Sequence, residues 1–126
     1  VRRQVACRLD PAGVGAPEPL WQEHRAALME LAAAVTPGAD PLAAPWLLRR
    51  LRRVLDRRLL AELSRPEELR DLRRSYLPLS VESVTDAAFL RFDALLPRGL
   101  RTEGGLIIGF AAEDVLTDPA AFRFAR

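Results

Sequence analysis

The chain predicts a mixed α/β fold with a hairpin at its start and mainly parallel strands after it. Three observations carry that expectation. Between Tyr76 and Arg126 two short apolar runs, Leu77–Leu79 and Leu106–Phe110, are each followed by a helical segment with its own opening signals. The second run holds the only two isoleucines in the chain, Ile107 and Ile108. A strand, a crossover helix and a second parallel strand need this much chain. Third, Asp10-Pro11-Ala12-Gly13 joins two strand-like runs. Proline there pre-sets φ and glycine tolerates φ > 0, which is turn chemistry.

The elements follow in order. Val5–Leu9 predicts a first strand and Leu20–Arg25 its hairpin partner, with a loose loop through Pro17, although propensity alone also allows one helix over 18–35. A helix from Ala27 to Ala34 is stopped by Pro37-Gly38. Asp40 as a cap and Pro41 at the first helical position open a longer helix. Along it Trp46, Leu47, Leu48, Leu51, Val54, Leu55, Leu59 and Leu63 recur at three- and four-residue spacing, an apolar stripe. Ser64-Arg65-Pro66-Glu67 breaks this helix and starts a short one through Arg74. The strand at 77–79 ends at Ser80, and Thr85-Asp86 starts a helix from Ala87 to Leu96 that Pro97 and Gly99 stop. Thr117-Asp118-Pro119 opens the last helix. Pro78 cannot donate to a sheet ladder, so its strand lies near an edge or ends there.

At 126 residues the chain is expected to form one domain, 1–126. It is too short for a complete eight-stranded barrel of about 250 residues. Its apolar residues never approach an uninterrupted run of about 20, so no membrane span is expected. The opening Val1-Arg2-Arg3-Gln4 lacks the pattern of a signal peptide, and a first residue other than Met suggests a piece of a longer protein. A lone cysteine, Cys7, cannot form an internal disulfide, which fits a reducing cytoplasm. All 19 basic residues are arginine; lysine and asparagine are both absent, a bias that a GC-rich bacterial genome accounts for. No lysine is therefore present to form a Schiff base, and no asparagine to ligate a metal. The net charge of +2 is too small to imply a nucleic-acid partner by itself.

The residues that invite a chemical role each have a plainer one. Glu23-His24 would be a metal pair only if they shared a face, and neighbours on a strand do not. His24, the only histidine, is expected half-buried or at the surface. Glu113-Asp114 follows a strand, where active-site carboxylates gather, but acids also favour a helix start such as the one at Thr117. Arg49, Arg50, Arg53 and Arg57 are the candidate phosphate or partner contacts on the arginine-rich helix. Asp56 stands four residues from Arg52 and Glu62 four from Arg58, so a salt-bridged, solvated face is the favoured expectation and nucleic acid is not. Cys7 is expected as a small buried apolar residue. Gly104-Gly105 is expected as a turn.

The stretch from Tyr76 to Arg126 also resembles the middle of an EAL domain, the bacterial fold that hydrolyses cyclic di-GMP. Leu77-Pro78-Leu79-Ser80 stands where that family has a V-N-L-S strand end, Val81–Leu96 where it has the next helix, and Ile107 to Glu113 where it has E-L-T-E. Val5–Gly13 resembles the first strand and its D-x-x-x-G turn, and Leu20–Arg25 lies where the E-A-L strand runs. Phe89–Asp93 and Phe122–Arg126 resemble phrases of divergent members. The likeness spans the chain but only the first half of the family's barrel, so it implies a partial (β/α) barrel-like domain. It also implies lost catalysis. The asparagine position holds Pro78, the later glutamate position holds Gly109, and the E-A-L position falls on Trp21 with Glu23 nearby. With those metal-ligand positions altered, no phosphodiesterase activity, metal or other cofactor is expected. The resemblance implies a non-catalytic regulatory or protein-interaction module in bacterial signalling, as a homodimer or docked on the rest of a parent protein. A non-hydrolytic cyclic di-GMP receptor and an arginine-rich nucleic-acid module are the alternatives.

Overall fold

A computed structural model describes residues 2–13, 15–38, 40, 43–102 and 105–125. Four strands, β1 (Arg2–Arg8), β2 (Glu18–Arg25), β3 (Ser75–Pro78) and β4 (Leu106–Gly109), form one open sheet in the order β1-β2-β3-β4. β1 and β2 pair antiparallel, and β3 and β4 then add in parallel. The α/β expectation and the opening hairpin are therefore observed, with Asp10 accepting from the Gly13 amide at 2.9 Å and Gly13 at φ 68°. β1 carries a bulge between Ala6 and Cys7, where the register passes from Ala6 opposite Trp21 to Cys7 opposite Pro19.

After β2 come α1 (Leu28–Val35), α2 (Pro45–Leu63) and α3 (Pro66–Asp71). α4 (Val81–Val84), α5 (Ala87–Leu95) and α6 (Arg98–Thr102) join β3 to β4, and α7 (Ala112–Thr117) and α8 (Pro119–Ala125) follow β4. Several boundaries differ from the sequence expectation. Pro45, not Pro41, is the first helical proline of α2, behind Ala44 as an N-cap that supplies no side-chain bond; Pro41 lies outside the described residues. The helix expected from Ala87 to Leu96 is α5, which Asp86 caps by accepting from the Ala88 amide at 3.1 Å. The single helix over 81–96 that the resemblance implies is two, because Thr85 closes α4. α6 and α7 had no separate expectation. Among the described residues no helix is long and apolar enough to cross a membrane.

The core lies on one face of the sheet. Leu59, Leu60 and Leu63 of α2 pack with Leu77 and Leu79 at β3, Leu72, Val84, Leu100 and Phe92 of α5, while Leu106, Ile108 and Phe110 border the cluster. Only the second half of α2 is buried in this way. Trp46, in its first turn, is 63% exposed, so the apolar stripe is narrower than its spacing suggests. Cys7 is also exposed, against expectation, because β1 is an edge strand whose residues are almost all open to solvent.

One polar residue lies on the buried stripe. Asp56 precedes Leu59, Leu60 and Leu63 by three, four and seven residues and so shares their helical face. It is 2% exposed. Its Oδ2 accepts from the Ser80 amide at 3.0 Å, the Ser80 hydroxyl at 2.9 Å and the Ser83 hydroxyl at 2.8 Å. The expected solvated pairing with Arg52 is thus corrected: Asp56 turns inward and ties α2 to the turn leaving β3. Truncation by Asp56→Ala would leave these donors facing a buried void. Urea denaturation is expected to show a loss of about 3 kcal/mol for this variant and less for Asp56→Asn, which keeps an acceptor.

Candidate functional site

Cross-strand register decides which side chains share a face. Glu23 stands opposite Gln4 and Tyr76, Trp21 opposite Ala6, Tyr76 opposite Ile107, and Pro78 opposite Gly109. Trp21, Glu23, Pro78 and Gly109 therefore all lie on the sheet face away from the helical core. The four positions that the EAL resemblance singles out share one face, although they are dispersed along the chain. That face exposes apolar groups, with Trp21 42% and Ile107 49% exposed. Gly109 has a local reason. A Cβ built there would fall 2.1 Å from the Tyr76 hydroxyl and 2.4 Å from the adjoining ring carbon. The tyrosine ring lies over the glycine and fills the space that a side chain at 109 would need. Glu23, the carboxylate among these four positions, accepts from Arg25 through Nε at 3.0 Å and pairs with its Nη2 at 2.8 Å.

His24 points the other way, as strand alternation requires, and is 2% exposed rather than half-buried. Its Nε2 lies 3.1 Å from the Ser75 hydroxyl, while Nδ1 is buried with no hydrogen-bond partner among the described residues. Burial, reinforced by the positive charge of Arg3, holds the imidazole below its ordinary pKa, and Glu68 opposes them. Arg3 and Glu68 themselves form an ion pair joining β1 to α3.

The arginine-rich face is mostly engaged. Arg57 donates to Asp86 Oδ2 from Nε at 3.0 Å and from Nη2 at 2.5 Å, and Arg53 reaches the same oxygen at 3.4 Å and Glu82 at 3.6 Å. Arg52 pairs with Asp114 at 3.6 Å, and Glu62 pairs with Arg65 rather than Arg58. Arg49 and Arg50 are exposed and have no hydrogen-bond or ion-pair partner among the described residues. The four arginine candidates thus do not act as a set: two hold α2 to the start of α5, and two are open.

The segments leaving the parallel strands border one cavity of about 380 Å³. Leu28 comes from the start of α1 after β2, Ser80 to Glu82 from the turn after β3, and Glu113, Asp114 and Thr117 from α7 after β4. The first turns of α2, including Leu48, Arg49 and Arg52, close it. This is the end of a parallel sheet where loops gather ligand-binding groups. Glu113 and Asp114 lie in the first turn of α7, so they are helix-start acids of a helix earlier than the one anticipated at Thr117. Among the described residues no group of three or more His, Cys, Asp or Glu is placed to hold a metal ion. Comparison with protein-family models, curated proteins and solved structures finds no match to this chain.

Asp86 and His24 each contribute to acid sensitivity. The Arg57 hydrogen bonds, helped by the Ala88 amide, lower the Asp86 carboxyl from 3.8 to about 2. A depressed folded pKa adds stability that is complete above pH 3.8 and is lost as pH falls toward about 2. Asp86→Asn is expected to flatten urea midpoints across that window and leave the neutral-pH slope alone. His24 acts higher. The unfolded chain protonates first, so stability declines as pH drops below 6.5, and His24→Gln is expected to remove that decline.

Proposed function

We propose that the chain is a non-catalytic regulatory or interaction module of bacterial signalling, built like the opening half of an EAL barrel and working through its uncovered sheet face. One observation carries this reading. The positions that resemble the family's metal-binding strand ends share a single face, and that face is filled by Trp21, Tyr76 and Pro78, with one arginine-paired carboxylate. Two-metal hydrolysis of a phosphodiester needs several oxygen ligands converging on the reacting phosphate. A proline side chain supplies none, and Tyr76 occupies the room that a ligand at 109 would need. An antiparallel first strand followed by parallel strands added in chain order supports the half-barrel architecture.

Such a face functions by being covered. Trp21 on β2 and Ile107 on the edge strand β4 expose apolar surface on this face, and proteins cover or pair such edges. A second copy of the chain, or the remainder of a parent protein in the cytoplasm, is the proposed partner. The engagement of Arg53 and Arg57 in ion pairs speaks against a phosphate-tracking face on α2.

Light-scattering mass, measured at low and high salt with and without cyclic di-GMP, tests the reading. The expected result is a dimer that survives high salt, ignores the nucleotide and dissociates in Ile107→Glu. A monomer under all conditions, or a mass that follows the nucleotide, would overturn it and turn attention to a receptor.

A further inference from the structure

The cavity at the strand ends is independent of the sheet face and has a chemistry of its own. Arg49 from α2 and Glu113 from α7 both line it, yet neither side chain has a hydrogen-bond or ion-pair partner among the described residues. A guanidinium and a carboxylate therefore border one space without neutralising each other. Next to Glu113, the Asp114 Oδ2 is shut off from solvent and accepts no hydrogen bond among the described residues; Arg52 stops at 3.6 Å. Leu28, Leu48 and Val81 supply an apolar part of the lining. The volume, about 380 Å³, falls at the small end of the range for ligand pockets.

We infer that this cavity binds a small aliphatic zwitterion, of the class of a branched-chain α-amino acid. Arg49 takes the ligand carboxylate. The ammonium group pairs with the exposed carboxylate of Glu113, on the side of the cavity that Asp114 also makes acidic. The aliphatic body rests on Leu28, Leu48 and Val81. A ligand with only one of its two charges leaves either the guanidinium or the carboxylates unanswered, so both charges are required. An anion alone would meet four acidic side chains, Glu82, Glu113, Asp114 and Asp118, against two arginines in the lining.

Ligand-detected saturation-transfer NMR and calorimetry on the full chain give the test, with L-leucine, isoamylamine and isocaproate as probes. The last two keep the aliphatic body and delete one charge each. Leucine is expected to bind, and each single-charge probe to bind about tenfold more weakly or worse. Arg49→Ala should weaken leucine and isocaproate but spare isoamylamine. Glu113→Gln should weaken leucine and isoamylamine but spare isocaproate. Both side chains are exposed, so both variants should keep the parent melting temperature. Absence of leucine binding up to millimolar concentration overturns the inference, and the probe series on the unaltered chain decides this without any variant. Isoamylamine or isocaproate binding as tightly as leucine overturns it equally.

Discussion

The contact between Asp56 and the Ser80–Ser83 turn holds the rest of the molecule in place. A carboxylate loses much solvation when it is buried and is tolerated only where strong donors replace water. Here one oxygen gathers an amide and two hydroxyls from a single turn. The bond fixes α2 to the end of β3, and two other features depend on that junction. The leucines of α2 that follow Asp56 on its helical face meet Leu77 and Leu79 at β3. The cavity exists because the first turns of α2 overhang the segments leaving β3 and β4. Arg53 and Arg57 repeat the connection one element later, through Asp86 at the cap of α5.

Elements with strong local chemistry were legible in the sequence. The Asp10–Gly13 turn, the Asp86 cap, the apolar runs of β3 and β4 and the helix opened by Pro119 all stand close to where the residue pattern puts them. Misplaced features were those that tertiary packing decides. Asp56 looked like one member of a surface ion pair, because an i, i+4 count sees only its own helix. Its registry with Leu59, Leu60 and Leu63 was the signal that placed it inside. Cys7 and Trp46 looked buried by type, but an edge strand and a projecting helix end give them nothing to pack against. The convergence of Trp21, Glu23, Pro78 and Gly109 on one face needed the register of three strands, which alternation within one strand does not supply. Arg49 was a candidate for its charge alone, and only the fold brings Glu113 to the same cavity.

Tyr76 and Gly109 show how one side chain can claim the space of another. Diagonal neighbours on adjacent strands compete for one volume, so an aromatic ring can lean over the next strand where its diagonal neighbour has no side chain. The ring and the glycine act as a pair, because a side chain at 109 would collide with the ring. A surface built this way gains rigid apolar area from aromatic groups with few rotatable bonds, the kind of group that concentrates binding energy at interfaces.

The strands stand in space in the order in which they occur in the chain. No strand has to be inserted between two that are already paired. Each later strand meets a sheet whose open edge was completed by the one before it, and each loop closes over residues made shortly earlier. On a ribosome such a sheet grows in one direction as the chain emerges, with the hairpin as its starting template and the newest strand always at the free edge. At that edge Leu106, Ile107, Ile108 and Gly109 carry no charge, whereas the opposite edge strand carries Arg2, Arg3 and Arg8. The assembly thus has a polarity: one border repels further strands, and the other is chemically ready to receive them.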